Sequence, residues 1–187
     1  MENEIKIVDN YVRSYDKKAI NREFNILEDA CFNNNIEIVK ILIKAFGNKL
    51  PIDEYAIYSA CYNNNLEIVK ELIKNYGNKL PIEENAINYA CENNNLEIVK
   101  ELVKNYGKNL PITEHAILWA CENNNLEIIK VLINVFGDKL PIDSNFITFV
   151  YKYSNIEIVK ELVKNYGDKF PIVKECAFNK ACENIKK

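Results

Sequence analysis

Few residues in this sequence could carry covalent or metal chemistry. His115 is the only histidine, so no pair of histidines can hold a metal, and a Ser–His or Cys–His nucleophile here has no evident orienting acid. Carboxylates are abundant but recur with the 30-residue period described below, whereas a unique active site would not be copied in every unit. Every glycine is isolated, which excludes a glycine-rich phosphate loop. We therefore expect no enzyme activity, no catalytic residue, no metal and no cofactor.

The cysteines recur at a fixed interval rather than in a metal-binding pattern. Four of the six occupy the same position of successive 30-residue units, each after an alanine: Cys31, Cys61, Cys91 and Cys121. Neighbouring helices in a stack lie roughly 8–10 Å apart, whereas a disulfide needs Cα atoms within about 7 Å. We predict that these side chains are small buried hydrophobes, and their free thiols favour a reducing compartment.

Glycine and proline define the repeat. Each type occurs five times, always 30 residues apart: Gly47, Gly77, Gly107, Gly137 and Gly167; Pro51, Pro81, Pro111, Pro141 and Pro171. A fixed period between about 20 and 50 residues is the signature of a repeat architecture, usually a solenoid.

Each unit predicts a helical hairpin. The stretch 96–106 has apolar residues at helical spacing and a charged opposite face, and Gly107 is expected to end this helix with a positive φ. The preceding half predicts a shorter helix, with Pro81 in its first turn. Between the two helices, the triplet 93–95 predicts a left-handed turn, with Asn95 as the N-cap of the longer helix.

These units predict an all-α fold, an α-solenoid of stacked helix-turn-helix repeats that forms one domain over 1–187. About 12 helices and no strands are expected. The predicted division is an N-terminal capping helix, five full repeats and a C-terminal capping helix, over 1–20; 21–50, 51–80, 81–110, 111–140 and 141–170; and 171–187.

The unit resembles a known family. The stretch ACENNNLEIVKELV at 90–103 is similar to the core of an ankyrin repeat, Ala-Ala-x-x-Gly-His-x-Glu-Ile-Val-x-x-Leu-Leu, and the match recurs at 60–73 and 120–133. The family's Thr-Pro-Leu-His start is missing, and fewer residues join one unit to the next. The resemblance therefore implies an ankyrin-like stack whose projecting β-hairpins are trimmed to short connectors.

Positions that vary between repeats locate the candidate binding surface. Four such positions lie at i, i+3, i+4 and i+7 of the first helix and so share one face. The resemblance to ankyrin repeats implies that this face lines the concave groove of the stack. The candidate partner-binding residues are Tyr55, Tyr58, Tyr62, Asn85, Asn88, Tyr89, Glu92, His115, Leu118, Trp119, Glu122, Phe149 and Lys152. We expect the first three to form an exposed aromatic cluster. Tyr89, Trp119 and Phe149 are either a groove ladder or core between repeats.

These features predict a protein–protein interaction module that holds a partner protein through the concave face of its first helices. The alternatives are an effector or inhibitor that blocks a target or host protein through the same surface, and a catalytic or small-molecule-binding solenoid. With 24 basic and 27 acidic residues and no long apolar run, we expect neither nucleic acid nor membrane as a partner. We expect a monomer, with self-association through aromatics as the alternative, in the cytoplasm, including that of a host cell.

Overall fold

The computed structural model describes residues 26–167 and 169, together with Lys6, Ile7 and Asn10. Within 26–167 the chain forms helical hairpins and no strand. The first helices of the hairpins are α1 (Ile26–Phe32), α3 (Glu54–Tyr62), α5 (Glu84–Glu92), α7 (Glu114–Glu122) and α9 (Ser144–Tyr153). The second helices are α2 (Ile36–Phe46), α4 (Leu66–Tyr76), α6 (Leu96–Tyr106), α8 (Leu126–Phe136) and α10 (Ile156–Tyr166). Apart from the three residues named, the predicted caps at 1–20 and 171–187 lie outside the described part.

The second helices begin and end as the sequence predicts. In α6, the Asn95 Oδ1 accepts a hydrogen bond of 2.9 Å from the Ile98 backbone N–H, which makes Asn95 the N-cap. Asn94 before it has a φ of +57°. Gly107 has a φ of +53° and donates its N–H to the Val103 carbonyl, which ends the helix. Both turn predictions are therefore confirmed.

The last hairpin departs from this pattern. Ser154 stands where the other hairpins have the second asparagine of the turn, and its φ is −89°. The helix before it, α9, has ten residues, whereas α3, α5 and α7 have nine. Gly167 also differs, because its φ of −50° is right-handed. The fifth hairpin therefore keeps its helices without the left-handed turn between them.

The first helices begin later than predicted. Pro81, predicted in the first turn of its helix, lies in a non-helical segment before α5, and Pro51 lies in the same way before α3. The residue before it, Leu50, has φ −73° and ψ 126°, as the steric demand of a following proline requires. The helices α3, α5, α7 and α9 each begin three residues after the proline, and two of them have a capping side chain within the described residues. Asp53 and Asp143 supply it, each accepting a hydrogen bond from a backbone N–H two or three residues later.

One short turn joins each of the first four hairpins to the next. It is a single 3₁₀ turn at Gly47–Lys49, Gly77–Lys79, Gly107–Asn109 and Gly137–Lys139. A buried leucine follows each turn: Leu50, Leu80, Leu110 and Leu140. These connectors contain no β-hairpin, as the resemblance implied.

Helices of the same kind pack on each other within each of two compact units, 1–86 and 87–187. In the first unit α1 packs on α3 and α2 on α4; in the second, α7 packs on α9, and α8 packs on both α6 and α10. Alanine and cysteine allow the close approach of the first helices, and all four described cysteines are buried, none in a disulfide. The repeat boundaries and the single domain over 1–187 stay predictions.

Candidate functional site

Asparagine side chains in the turns fix the positions of neighbouring hairpins. The Asn125 Nδ2 donates a hydrogen bond of 2.6 Å to Oδ1 of Asn94, 31 residues earlier. The Asn123 Nδ2 lies 3.0 Å from the Cys91 carbonyl oxygen and 2.9 Å from that of Glu92, at the end of α5. In the first unit, residues 63 and 65 make the corresponding bonds to residues 31, 32 and 34. These contacts hold successive first helices in register.

The three tyrosines of α3 form the aromatic cluster that was expected. The Tyr55 and Tyr58 ring centroids lie 6.1 Å apart in an edge-to-face arrangement. The rings of Tyr58 and Tyr62 stack at 6.3 Å with an interplanar angle of 12°. Tyr55 is 51% exposed and Tyr62 50%, whereas Tyr58 is half-buried. A connected strip of aromatic surface therefore follows one face of α3.

A small pocket adjoins this cluster, between α3 and the segment that begins α5. Its volume is about 60 Å³, and its walls are Glu54, Tyr55, Tyr58, Glu83, Asn85 and Ala86. Sequence reasoning did not single out Glu54 and Glu83. Glutamate recurs at 54, 84 and 114 and so resembles scaffold, and an acidic residue at 83 is explained by the favourable field at a helix N-terminus.

The predicted aromatic residues of the second unit are partly exposed. Tyr89, Trp119 and Phe149 are each half-buried, as is Leu118. Each therefore presents one part of its surface to the packing and another to solvent. The Phe149 ring lies 4.8 Å from the Tyr153 ring, tilted by 42°, within its own helix.

The polar candidates fall into two groups. Five of them are exposed: Asn85, Glu92, His115, Glu122 and Lys152. Lys152 lies over the Tyr153 ring, with Nζ 4.8 Å from the ring centroid. Asn88 differs from the others, because it is only 8% exposed and its Oδ1 accepts a hydrogen bond of 3.3 Å from the Thr113 hydroxyl. Its side chain is part of the packing.

Charge is distributed unequally between the two kinds of helix. The helices α1, α3, α5 and α7 contain no lysine or arginine, and their seven acidic residues are Glu28, Asp29, Glu54, Glu84, Glu92, Glu114 and Glu122. The second helices carry both signs and form ion pairs such as Glu97–Lys100 at 3.0 Å and Glu127–Lys130 at 2.9 Å. The first helices of four hairpins are therefore negatively charged, whereas the charges of the second helices largely compensate one another.

Comparison with known families identifies the repeat. A family model described as ankyrin repeats (3 copies) matches three overlapping stretches, residues 27–114, 57–145 and 87–173. The chain belongs to the ankyrin repeat family. Comparison with curated proteins and with solved structures returns no match. Ankyrin repeats are generally protein–protein interaction modules, which assigns the chain to this broad class.

The buried thiols of this ankyrin repeat protein are poorly suited to nucleophilic chemistry. Burial raises the pKa of Cys31 and Cys61 above its ordinary value, and raises that of Cys121 to about 12. A thiol is nucleophilic as the thiolate, so these three stay protonated and inert at neutral pH.

Two kinds of feature are absent from the described part of this ankyrin repeat protein. There, no three histidine, cysteine, aspartate or glutamate side chains form a group that could hold a metal ion. None of the described helices combines the length and the apolar character of a membrane span.

Proposed function

We propose that this ankyrin repeat protein binds a partner protein through the exposed faces of its first helices, the side that lines the concave groove in ankyrin-type stacks. The observation that carries the proposal is the tyrosine strip on α3. Tyr55, Tyr58 and Tyr62 lie in ring-to-ring contact, and two of them are half exposed. Tyrosine is enriched among the residues that contribute most to binding free energy, because it offers a large rigid surface and a polar hydroxyl.

The second helices are poorer candidates for this role. Their exposed faces repeat the same glutamate and lysine pattern, and several of these side chains pair within one helix. An exposed ion pair contributes little to stability. The exposed positions of the first helices differ from one hairpin to the next, which gives the selectivity that a specific interface needs.

The proposal is tested by affinity capture with matched variants of the full chain. One variant is Tyr55→Ala/Tyr62→Ala. The control is Phe46→Ala, because Phe46 is an aromatic residue of similar exposure, 48%, at the end of a second helix. We expect the double variant to bind the captured partner at least about 30-fold more weakly than the wild type, and the control to bind normally. Equal binding by the double variant would contradict the proposal.

A further inference from the structure

The pocket beside the tyrosine strip combines two kinds of group that attract a cation. Glu54 and Glu83 supply carboxylates, Tyr55 and Tyr58 supply aromatic rings, and Asn85 adds an amide. We propose that this pocket receives the guanidinium group of an arginine side chain of the partner protein. The inference rests on the proposed function and specifies which chemical group of the partner protein the pocket binds.

No positively charged side chain of the described residues forms an ion pair with the carboxylates of the pocket. Among the residues that the structure describes, neither Glu54 nor Glu83 forms a side-chain hydrogen bond or an ion pair, whereas Glu67 in the same unit is paired with Lys40 at 2.6 Å. No lysine or arginine occurs in 51–62 or in 80–86. Since carboxylates in a concave site reinforce each other's field, the pocket is complementary to a positive group.

Glu83 occupies the position at which the side chain caps the first helix in two other hairpins. At the corresponding position, Asp53 and Asp143 accept a hydrogen bond from a backbone N–H and so cap α3 and α9. Glu83 makes no such bond within the described part of the chain, and its longer side chain lines the pocket instead. Helix capping therefore does not explain why a glutamate occurs at position 83.

The aromatic walls favour arginine over lysine. The guanidinium group is planar, stacks on aromatic rings and presents a fork of N–H donors that matches a carboxylate, whereas the lysine ammonium is compact and strongly hydrated. The rings of Tyr55 and Tyr58, both in the pocket wall, lie nearly at right angles, with an interplanar angle of 85°. At about 60 Å³ the pocket is far smaller than the roughly 300–1,000 Å³ of small-molecule sites. Its size therefore suits the end of one side chain.

A titration with blocked amino acids tests this directly. The full chain is followed by amide-resolved nuclear magnetic resonance while Nα-acetyl-arginine-N-methylamide is added, then the lysine analogue, then the citrulline analogue, which keeps the shape of arginine without its charge. We expect arginine to shift the resonances of Tyr55, Tyr58 and Asn85, and to bind about tenfold more tightly than citrulline. Lysine is expected to bind more weakly than arginine.

Two variants make the test specific. Glu54→Gln/Glu83→Gln removes both charges of the pocket and should abolish the preference for arginine over citrulline. Glu114→Gln is the matched control, because Glu114 begins α7 as Glu54 begins α3 but lies outside the pocket. It should leave the preference unchanged. Equal binding of arginine and citrulline, equal binding of arginine and lysine, or an equal effect of the two variants would overturn the inference.

The failure of this inference is distinguishable from failure of the proposed function. Tyr62 belongs to the tyrosine strip but does not line the pocket. If Tyr62→Ala weakens binding of the captured partner while Glu54→Gln/Glu83→Gln does not, the arginine pocket is wrong and the first-helix surface stands. If neither variant weakens partner binding, both are wrong.

Discussion

Asn125 and Asn94 are joined by a hydrogen bond of 2.6 Å from Nδ2 of the first to Oδ1 of the second, across 31 positions of the chain. The same Asn125 side chain uses its Oδ1 to accept from the Ile128 backbone N–H at 3.0 Å. One amide therefore caps a helix and also links two successive hairpins. The turn asparagines therefore have a third role, between hairpins, besides the left-handed backbone of Asn124 and the capping by Asn125.

Replacing Asn125 should therefore cost more than the loss of a helix cap. Asn125→Ala removes the cap, worth typically about 1 kcal/mol, and the bond to Asn94, worth about 1 kcal/mol. We expect the free energy of unfolding to fall by about 2 kcal/mol in urea denaturation. The control is Asn105→Ala, because the Asn105 side chain bonds only within its own helix, to Glu101. Equal losses for the two variants would contradict the role assigned to the link between hairpins.

Glycine is required at position 107 by the backbone conformation, and not by a lack of room for a side chain. Its φ is +53°, and a Cβ at this position would meet nothing within 4 Å. Gly107→Ala should therefore destabilise the fold by about 1–3 kcal/mol through backbone strain alone, because a φ of +53° with a ψ of −132° is sparsely populated by residues with a Cβ. Gly107→Asn should cost nearly as much, because asparagine tolerates a positive φ mainly with a ψ of about +30 to +60°, whereas the ψ of Gly107 is −132°. Thermal and urea denaturation of both variants measure these losses, and an alanine variant as stable as the wild type would refute the explanation.

The buried thiols predict a loss of stability at alkaline pH. Burial raises the pKa of Cys31 and Cys61, and that of Cys121 to about 12, from an ordinary value of 9.0. Above pH 9 the unfolded chain therefore releases protons that the folded chain still holds. This contribution to stability is fully present below pH 9 and is lost as the pH rises towards 12, at up to about 1.4 kcal/mol per pH unit for each thiol.

Urea denaturation at pH 8 and pH 10 measures this loss, and the substitution Cys61→Ala should reduce it. Identification of alkylated peptides by mass spectrometry gives a second readout. In native protein at pH 8, iodoacetamide should leave Cys31, Cys61 and Cys121 unmodified. Rapid alkylation of any of the three, or equal stability at pH 8 and pH 10, would disagree with the burial described.

Trp119 separates the two interpretations of the aromatic residues in the second unit. If Trp119 is a binding anchor, Trp119→Ala should weaken partner binding by about 2–4 kcal/mol and leave the melting temperature nearly unchanged. A loss of about 3–5 kcal/mol in the free energy of unfolding, with partner affinity retained, would assign it to the core instead. Calorimetry of the variant, alone and with the captured partner, measures both quantities.

The sequence predicts most of the fold because each hairpin depends on local signals. Gly107 and Asn94 have the positive φ that their residue types favour, and Asn95 caps the helix that follows it. The start of the first helices was predicted wrongly, because each begins three residues after its proline, with a capping carboxylate at Asp53 and without a capping side-chain bond at Thr113.

The candidate site was predictable only in part. The tyrosines of α3 are conspicuous because they interrupt a repeated pattern. The contact between Asn125 and Asn94, and the pocket formed by Glu54 and Glu83, depend on packing between hairpins. Such contacts join residues about thirty positions apart, and no local pattern of residue types encodes them.

Site-specific photo-crosslinking tests the central claim most directly. A benzoyl-phenylalanine is placed at Tyr62 on the first-helix surface and, in a second protein, at Lys70, an exposed position of the second helix of the same hairpin. We predict that the captured partner crosslinks from position 62 and not from position 70. A crosslink from position 70 alone would contradict the assignment of the binding surface to the first helices.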